Sequence, residues 1–186
     1  MHRNFVIYKP YGMLSQLNTK GYKKKKGLAE LFAFPEGVQP VGRLDEDSEG
    51  LLLLTSDNAM NIHIRSTDIE KEYWVQLDGE ITDAAIAKLE KGVIIKKEKE
   101  NYLTLPCKVS KIPELMPERD PASRGGRHRP STWISITIRE GKFRQVRKMT
   151  AAVGYPTLRL VRVRIGKIRL GSMQPSEVKE VPEFLL

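Results

Sequence analysis

The run Leu51-Leu52-Leu53-Leu54-Thr55 constrains this chain more than any other stretch. It is short, uncharged and bounded by turn residues, so it reads as a buried strand. A dense polar loop between glycines, Gly42-Arg43-Leu44-Asp45-Glu46-Asp47-Ser48-Glu49-Gly50, runs straight into it. Carboxylates then sit at the edge of a rigid sheet, where a scaffold holds them still. The chain around them is basic, with net charge +9 and pI about 9.6. A fixed carboxylate within such a surface points to chemistry on a polyanion.

A length of 186 residues predicts one domain or two closely joined lobes, and a hydrophobic content of 40% suffices for a core. No apolar run approaches the length that spans a bilayer. The apolar part of the N-terminus is too short for a signal peptide. The single cysteine, Cys107, excludes an intramolecular disulfide and is most simply a small core residue. These features predict a cytoplasmic protein. Arg139, Lys142, Arg144, Arg147, Lys148, Arg159, Arg162, Arg164, Lys167 and Arg169 form a cationic run interrupted by one acid, Glu140. A solvated face usually mixes signs, so this run favours nucleic acid over a merely wet surface.

Strands are expected over residues 4–8, 51–55, 71–77, 133–138, 158–165 and 167–170, with weaker ones at 93–95 and 107–109. In the strand from Lys71, the side chains of Tyr73, Val75 and Leu77 share one face, and Glu72, Trp74 and Gln76 the other. Helices are expected over 28–34, 58–65, 82–91 (capped by Thr82 and closed by Gly92) and 144–153, the last closed by Gly154 with Pro156 beyond. Residues 112–130 lack any period and read as an irregular loop, and Lys23–Lys26 as an exposed one. Strands and helices follow no strict βαβ order, so the class is α+β with a mostly antiparallel sheet.

On the helix from Arg144, residues Val146, Met149, Thr150 and Val153 fall on one face, while Arg144, Arg147 and Lys148 share another stripe. Such a helix offers cations to a phosphate or a carboxylate; an ordinary amphipathic helix with a wet basic face has the same pattern. Asp45, Asp47 and Glu49 are candidates for a divalent metal, but the EF-hand spacing fails. His2, His63 and His128 are scattered, with no zinc-ligand spacing. Walker A, G-x-G-x-x-G and G-x-S-x-G motifs are absent, which disfavours an NTPase, a dinucleotide enzyme and an α/β-hydrolase. One aspartate suffices for covalent or general-base chemistry if it is ionised by a neighbouring cation and aimed by a strand edge. Asp45 precedes the buried strand, Arg147 is a candidate cation, and Tyr73 is placed to stack on a base or exchange a proton. The structural alternatives are a turn-forming aspartate and a core tyrosine.

The ordered set of segments resembles the pseudouridine synthases, in the branch that modifies ribosomal RNA. The resemblance lies in Lys9-Pro10-Tyr11-Gly12, in Gly42-Arg43-Leu44-Asp45 with Asp47 to Thr55, in Lys71-Glu72-Tyr73, in Glu140 to Met149, and in Gly154-Tyr155-Pro156-Thr157-Leu158-Arg159-Leu160. It covers nearly the whole chain. It implies a bisected antiparallel sheet in a single catalytic domain of two lobes around a cleft, without an N-terminal RNA-binding domain. It implies isomerisation of a specific uridine of 23S rRNA near the peptidyl transferase region, on naked rRNA or a large-subunit assembly intermediate, by a monomer needing no cofactor or metal. By the same resemblance Asp45 is the catalytic carboxylate, Arg147 pairs with it, and Tyr73 packs against the uracil. Arg43 occupies the gap left by the extruded nucleotide, and Leu160 lines the base pocket. Lys9, Arg144 and Lys148 are the further residues expected to contact RNA. A tRNA or small-subunit rRNA substrate, and a non-catalytic rRNA-binding protein, are the rival readings.

Overall fold

The computed structural model describes every residue except Met1, Lys23, Glu114, Leu115 and 118–129. The chain divides into two compact units, Met1–Lys71 with Val161–Leu186, and Glu72–Leu160.

The first unit is built on the leucine run. Strand β3 (Glu49–Thr55) is buried at every residue, and Leu51 to Leu54 have no exposed surface. Strand β1 (Asn4–Lys9) lies antiparallel to it, from Asn4 opposite Thr55 to Lys9 opposite Gly50. The short β2 (Gln39–Pro40) pairs with Thr55 and Leu54 at one end of β3. At the other end Glu49 and Gly50 pair, in parallel, with Val161 and Arg162 of β9 (Thr157–Ile165). Gly50 is needed there. Its φ is +104°, and a Cβ on it would lie 2.3 Å from the Arg162 carbonyl oxygen. Helix α1 (Asn58–Arg65) starts where the Asp57 carboxylate accepts from the Met60 amide at 3.0 Å. Strand β10 (Ile168–Arg169) returns on β9, and β11 (Val178–Val181) closes the free edge of β1. The order within this unit is β11-β1-β3-β9.

In the second unit β4 (Lys71–Asp78, of which Glu72 onward belongs here) alternates buried and half-buried residues, as its period requires. Its neighbours run in the order β4-β8-β7, with β8 (Ser131–Ile138) antiparallel to β7 (Lys108–Ile112). Helix α2 (Asp83–Lys91) is capped by Thr82. A separate hairpin joins β5 (Ile94–Lys97) to β6 (Glu100–Leu103). Helix α3 (Gln145–Ala152) leads to β9, which starts in this unit and ends in the other.

Two expectations need correction, and three short strands, β2, β6 and β11, add to those expected. Residues 28–34 form only a 3₁₀ turn at Leu28–Glu30, because Phe32 and Phe34 fold over Phe5 with ring centroids 5.6 and 5.2 Å away. Burying aromatic edges outweighs one further helical turn. Helix α3 begins at Gln145, one residue late, because Arg144 takes a left-handed conformation (φ +51°) and serves as its N-cap residue. Strand β11 was not expected, since a short edge strand with two exposed charges carries little apolar signal. The irregular loop expected over 112–130 falls largely outside the described residues.

Candidate active site

The Asp45 loop is fastened on both sides of Asp45. Before it, the buried Ser15 hydroxyl accepts from the Leu44 amide at 2.9 Å and donates to the Leu44 carbonyl at 2.7 Å. After it, the Gly12 amide donates to the Glu46 carbonyl at 2.8 Å, and the Lys25 ammonium holds the Glu46 carboxylate at 2.7 and 2.9 Å. The Ser48 amide donates to the Asp45 carbonyl at 3.0 Å, closing the turn into β3. Asp45 is left half-buried and Arg43 exposed, while Ser48 and Glu49 are buried. A carboxylate on so constrained a backbone has the fixed placement that a nucleophile or a general base requires.

Lys9, expected among the residues that contact RNA, is instead turned into the interior. It has no exposed surface, and its ammonium donates to the carbonyls of Pro10 at 2.9 Å and Met13 at 2.6 Å. It thereby shapes the turn that carries Gly12 to Glu46. Desolvation pulls its pKa down to about 8, against the attraction of Glu49, Asp47, Glu46 and Asp45, which favours the charged form. This lysine is buried within electrostatic reach of four acids.

The other expected residues lie in the second unit. Tyr73 is buried on β4, Leu160 is buried on β9, and Arg147 is half-buried on α3, where Nη1 donates to the Thr157 carbonyl at 3.4 Å. The fastening here is Glu140. Its buried carboxylate accepts from the Tyr102 hydroxyl, from the Leu105 amide at 2.8 Å and from the Gln145 side-chain amide at 2.7 Å. Residues from β6, from the segment after it and from the first turn of α3 therefore meet at one carboxylate. That hydrogen bond also raises the pKa of Tyr102. Glu140 and Ser15 were not expected to matter. The lone acid in a cationic run was a visible signal for Glu140, whereas nothing in the sequence singled out Ser15.

The basic run is partly internal. Arg162 and Arg159 are buried, donating to the carbonyls of Leu51 at 2.8 Å and Pro117 at 2.6 Å. Arg164 pairs with Glu70 at 3.2 Å. These three hold the fold together and present little charge to a partner. Lys71, buried in the first unit, donates to the Ser66 carbonyl at 2.8 Å, and desolvation with the nearby Arg162 charge lowers its pKa to about 8. Arg144 and Lys148 are half-buried. Cys107 donates to the Leu89 carbonyl, and burial pushes its thiol up to about 12, which leaves it unreactive. Among the described residues no group of three or more histidine, cysteine or acidic side chains is arranged to hold a metal ion, and no helix is long and apolar enough to cross a membrane.

Comparison with known proteins gives this arrangement its class. Residues 3–152 match the family described as RNA pseudouridylate synthase. The chain belongs to that family and is a pseudouridine synthase. Its relatives include ribosomal large subunit pseudouridine synthase E of Vibrio parahaemolyticus, 44% identical over 185 residues covering 97% of this chain and 74% of the relative. The protein of the same description from Xanthomonas campestris is 44% identical over 179 residues, covering 92% and 91%. A crystal structure described as a pseudouridylate synthase superposes with a TM-score of 0.76 at 27% identity, over 97% of this chain and 70% of that one. The α+β class and the pseudouridine synthase fold are thereby shown.

Proposed function

We propose that this chain converts one uridine of 23S rRNA to pseudouridine, with Asp45 as the catalytic carboxylate. The observation that carries the assignment is the double fastening of its loop, through Leu44 to Ser15 and through Glu46 to Gly12. The large-subunit target is supported by the printed description of the relatives at 44% identity. The C1′–N1 bond breaks, the uracil turns, and a C1′–C5 bond forms. N1 gains a proton and C5 loses one, so substrate and product are isomers and no external reductant or oxidant enters the balance. An ionised Asp45 serves either as the group that attacks or as the base that takes the C2′ proton. Tyr73 and Leu160 are assigned to the uracil ring, Arg147 to charge compensation, and Arg43 to the space an extruded nucleotide leaves. The protein is assigned as a monomeric enzyme of one catalytic domain.

The test is Asp45→Asn. RNA binding persists and pseudouridine formation ceases if the assignment holds; a variant that still turns over defeats it. Pseudouridine mapping in RNA from cells lacking the protein tests the target. Loss of a modification from tRNA or small-subunit rRNA, with large-subunit rRNA unchanged, overturns the substrate.

A further inference from the structure

Phe143 is 74% exposed, and among the described residues no large hydrophobic side chain is more so. Isolated surface hydrophobics need no explanation. This one differs in being held outward by a stiff turn. The Lys142 amide donates to the Gln145 side-chain oxygen at 2.9 Å, and the Gln145 amide donates to the Lys142 carbonyl at 3.0 Å. The same Gln145 side chain is tied to buried Glu140. Next to Phe143, Arg144 has its backbone at φ +51°, a conformation costing about 1 kcal/mol or more for a residue with a Cβ. A chain that only needed to cover the ring with neighbouring apolar surface would have no use for this geometry.

The surroundings of the ring are cationic. The Lys148 ammonium stands 5.2 Å from the ring centroid while donating to the Lys96 carbonyl at 2.8 Å, so its position is fixed at both contacts. On the other side in sequence, the Lys142 ammonium lies 5.2 Å from the centroid of Tyr102. An exposed aromatic face beside one fixed ammonium group, with a second lysine adjacent in sequence, matches the chemistry of a single-stranded nucleic acid, in which a base stacks and its phosphates pair. An apolar protein or lipid surface would cover the ring and leave the ammonium groups unpaired, and an anionic one would pair with them and bring no planar ring, whereas an unpaired nucleotide brings both.

We propose that Phe143 is a stacking platform for one unpaired nucleobase of the RNA substrate, with Lys142 and Lys148 taking the phosphates that flank it. This rests on the RNA-modifying reading given above. Lys148 covers one face of the ring and the base takes the other. The base is one other than the reacting uridine, which is assigned to Tyr73 and Leu160.

The test compares Phe143→Leu, which keeps bulk and apolarity, with Phe143→Tyr, which keeps the ring. Affinity is measured for large-subunit rRNA from cells lacking the protein, alongside turnover at saturating RNA. Phe143→Leu should weaken binding about 5- to 150-fold with turnover at saturation unchanged, and Phe143→Tyr should restore binding. Binding is then repeated on synthetic single-stranded RNAs carrying one abasic nucleotide at successive positions. At one position the difference between wild type and Phe143→Leu should vanish. The proposal is overturned if Phe143→Leu binds like wild type, if Phe143→Tyr is as weak as Phe143→Leu, or if every abasic RNA shows the same loss. It is also overturned if the variants differ only on assembled ribosomal particles, which would assign the ring to a protein contact. A wild-type enzyme that forms no pseudouridine in this RNA would defeat the functional reading, and the binding comparison would still judge Phe143.

Discussion

The Ser15 side chain and the Leu44 peptide exchange two hydrogen bonds, the hydroxyl accepting from the amide and donating to the carbonyl. One small residue thus satisfies both backbone groups of the position before Asp45. Ser15→Ala should destabilise the fold by about 1–3 kcal/mol, since both partners are left buried without it. Because the lost bonds fix the backbone next to Asp45, the proposed catalytic role predicts that turnover at saturating RNA falls by roughly tenfold or more while RNA affinity holds. Steady-state kinetics with thermal unfolding on the same preparation decides the matter. A lower melting temperature with unchanged turnover would remove Ser15 from the catalytic apparatus.

Lys9 makes stability depend on alkaline pH. Its folded pKa is about 8 against 10.5 for the free side chain. Below 8 the lysine is charged in both states and its burial is unfavourable. Between about 8 and 10.5 the unfolded chain keeps a proton that the folded chain releases, so this contribution to stability rises with pH. Lys71 acts in the same direction. The stability of wild type relative to Lys9→Met should therefore increase across that window, by on the order of 3 kcal/mol. Urea melts of both proteins at a series of pH values measure it, and a constant difference would mean that Lys9 keeps its charge in the fold.

Glu140 gathers three donors at one buried carboxylate. Glu140→Ala should cost about 3 kcal/mol or more, through several unsatisfied polar groups at once. Glu140→Gln keeps an acceptor oxygen and should recover part of that loss. Hydrogen exchange at the amides of Leu105 and of the first turn of α3 should accelerate in the alanine variant ahead of the rest of the second unit. Uniform acceleration would show that Glu140 has no local role.

Arg43 is exposed beside the fastened loop. If it fills the space an extruded nucleotide leaves and meets a phosphate there, Arg43→Ala should reduce the magnitude of the salt slope of RNA binding by about 1 and lower turnover of bound RNA, because the flipped-out state loses its support. A slope equal to that of wild type would place Arg43 away from the RNA backbone.

The parts of the fold legible in the sequence are those where periodicity and burial agree. The leucine run is too apolar for any place but the interior, and β4 alternates because one of its faces is covered. The hidden parts are polar groups working inside. Lys9, Arg159 and Arg162 read as surface charge until their carbonyl partners are known, and those partners are brought near by folding alone. Ser15 meets Leu44 across 29 positions of chain. Arg144 looks like an ordinary helical residue, and only the turn bonded by Gln145 reveals its left-handed backbone. Around Asp45 the motif indicated which carboxylate to watch, while the means of holding it lay in the segment from Lys9 to Ser15.

Because Arg159 and Arg162 spend their charge on carbonyl oxygens in the interior, the titration curve of this polypeptide overstates the grip of its native surface. Denaturation releases those guanidinium groups to solvent. Unfolded molecules should cling to a cation-exchange resin beyond the salt concentration that elutes native ones, so a single gradient sorts intact protein from damaged.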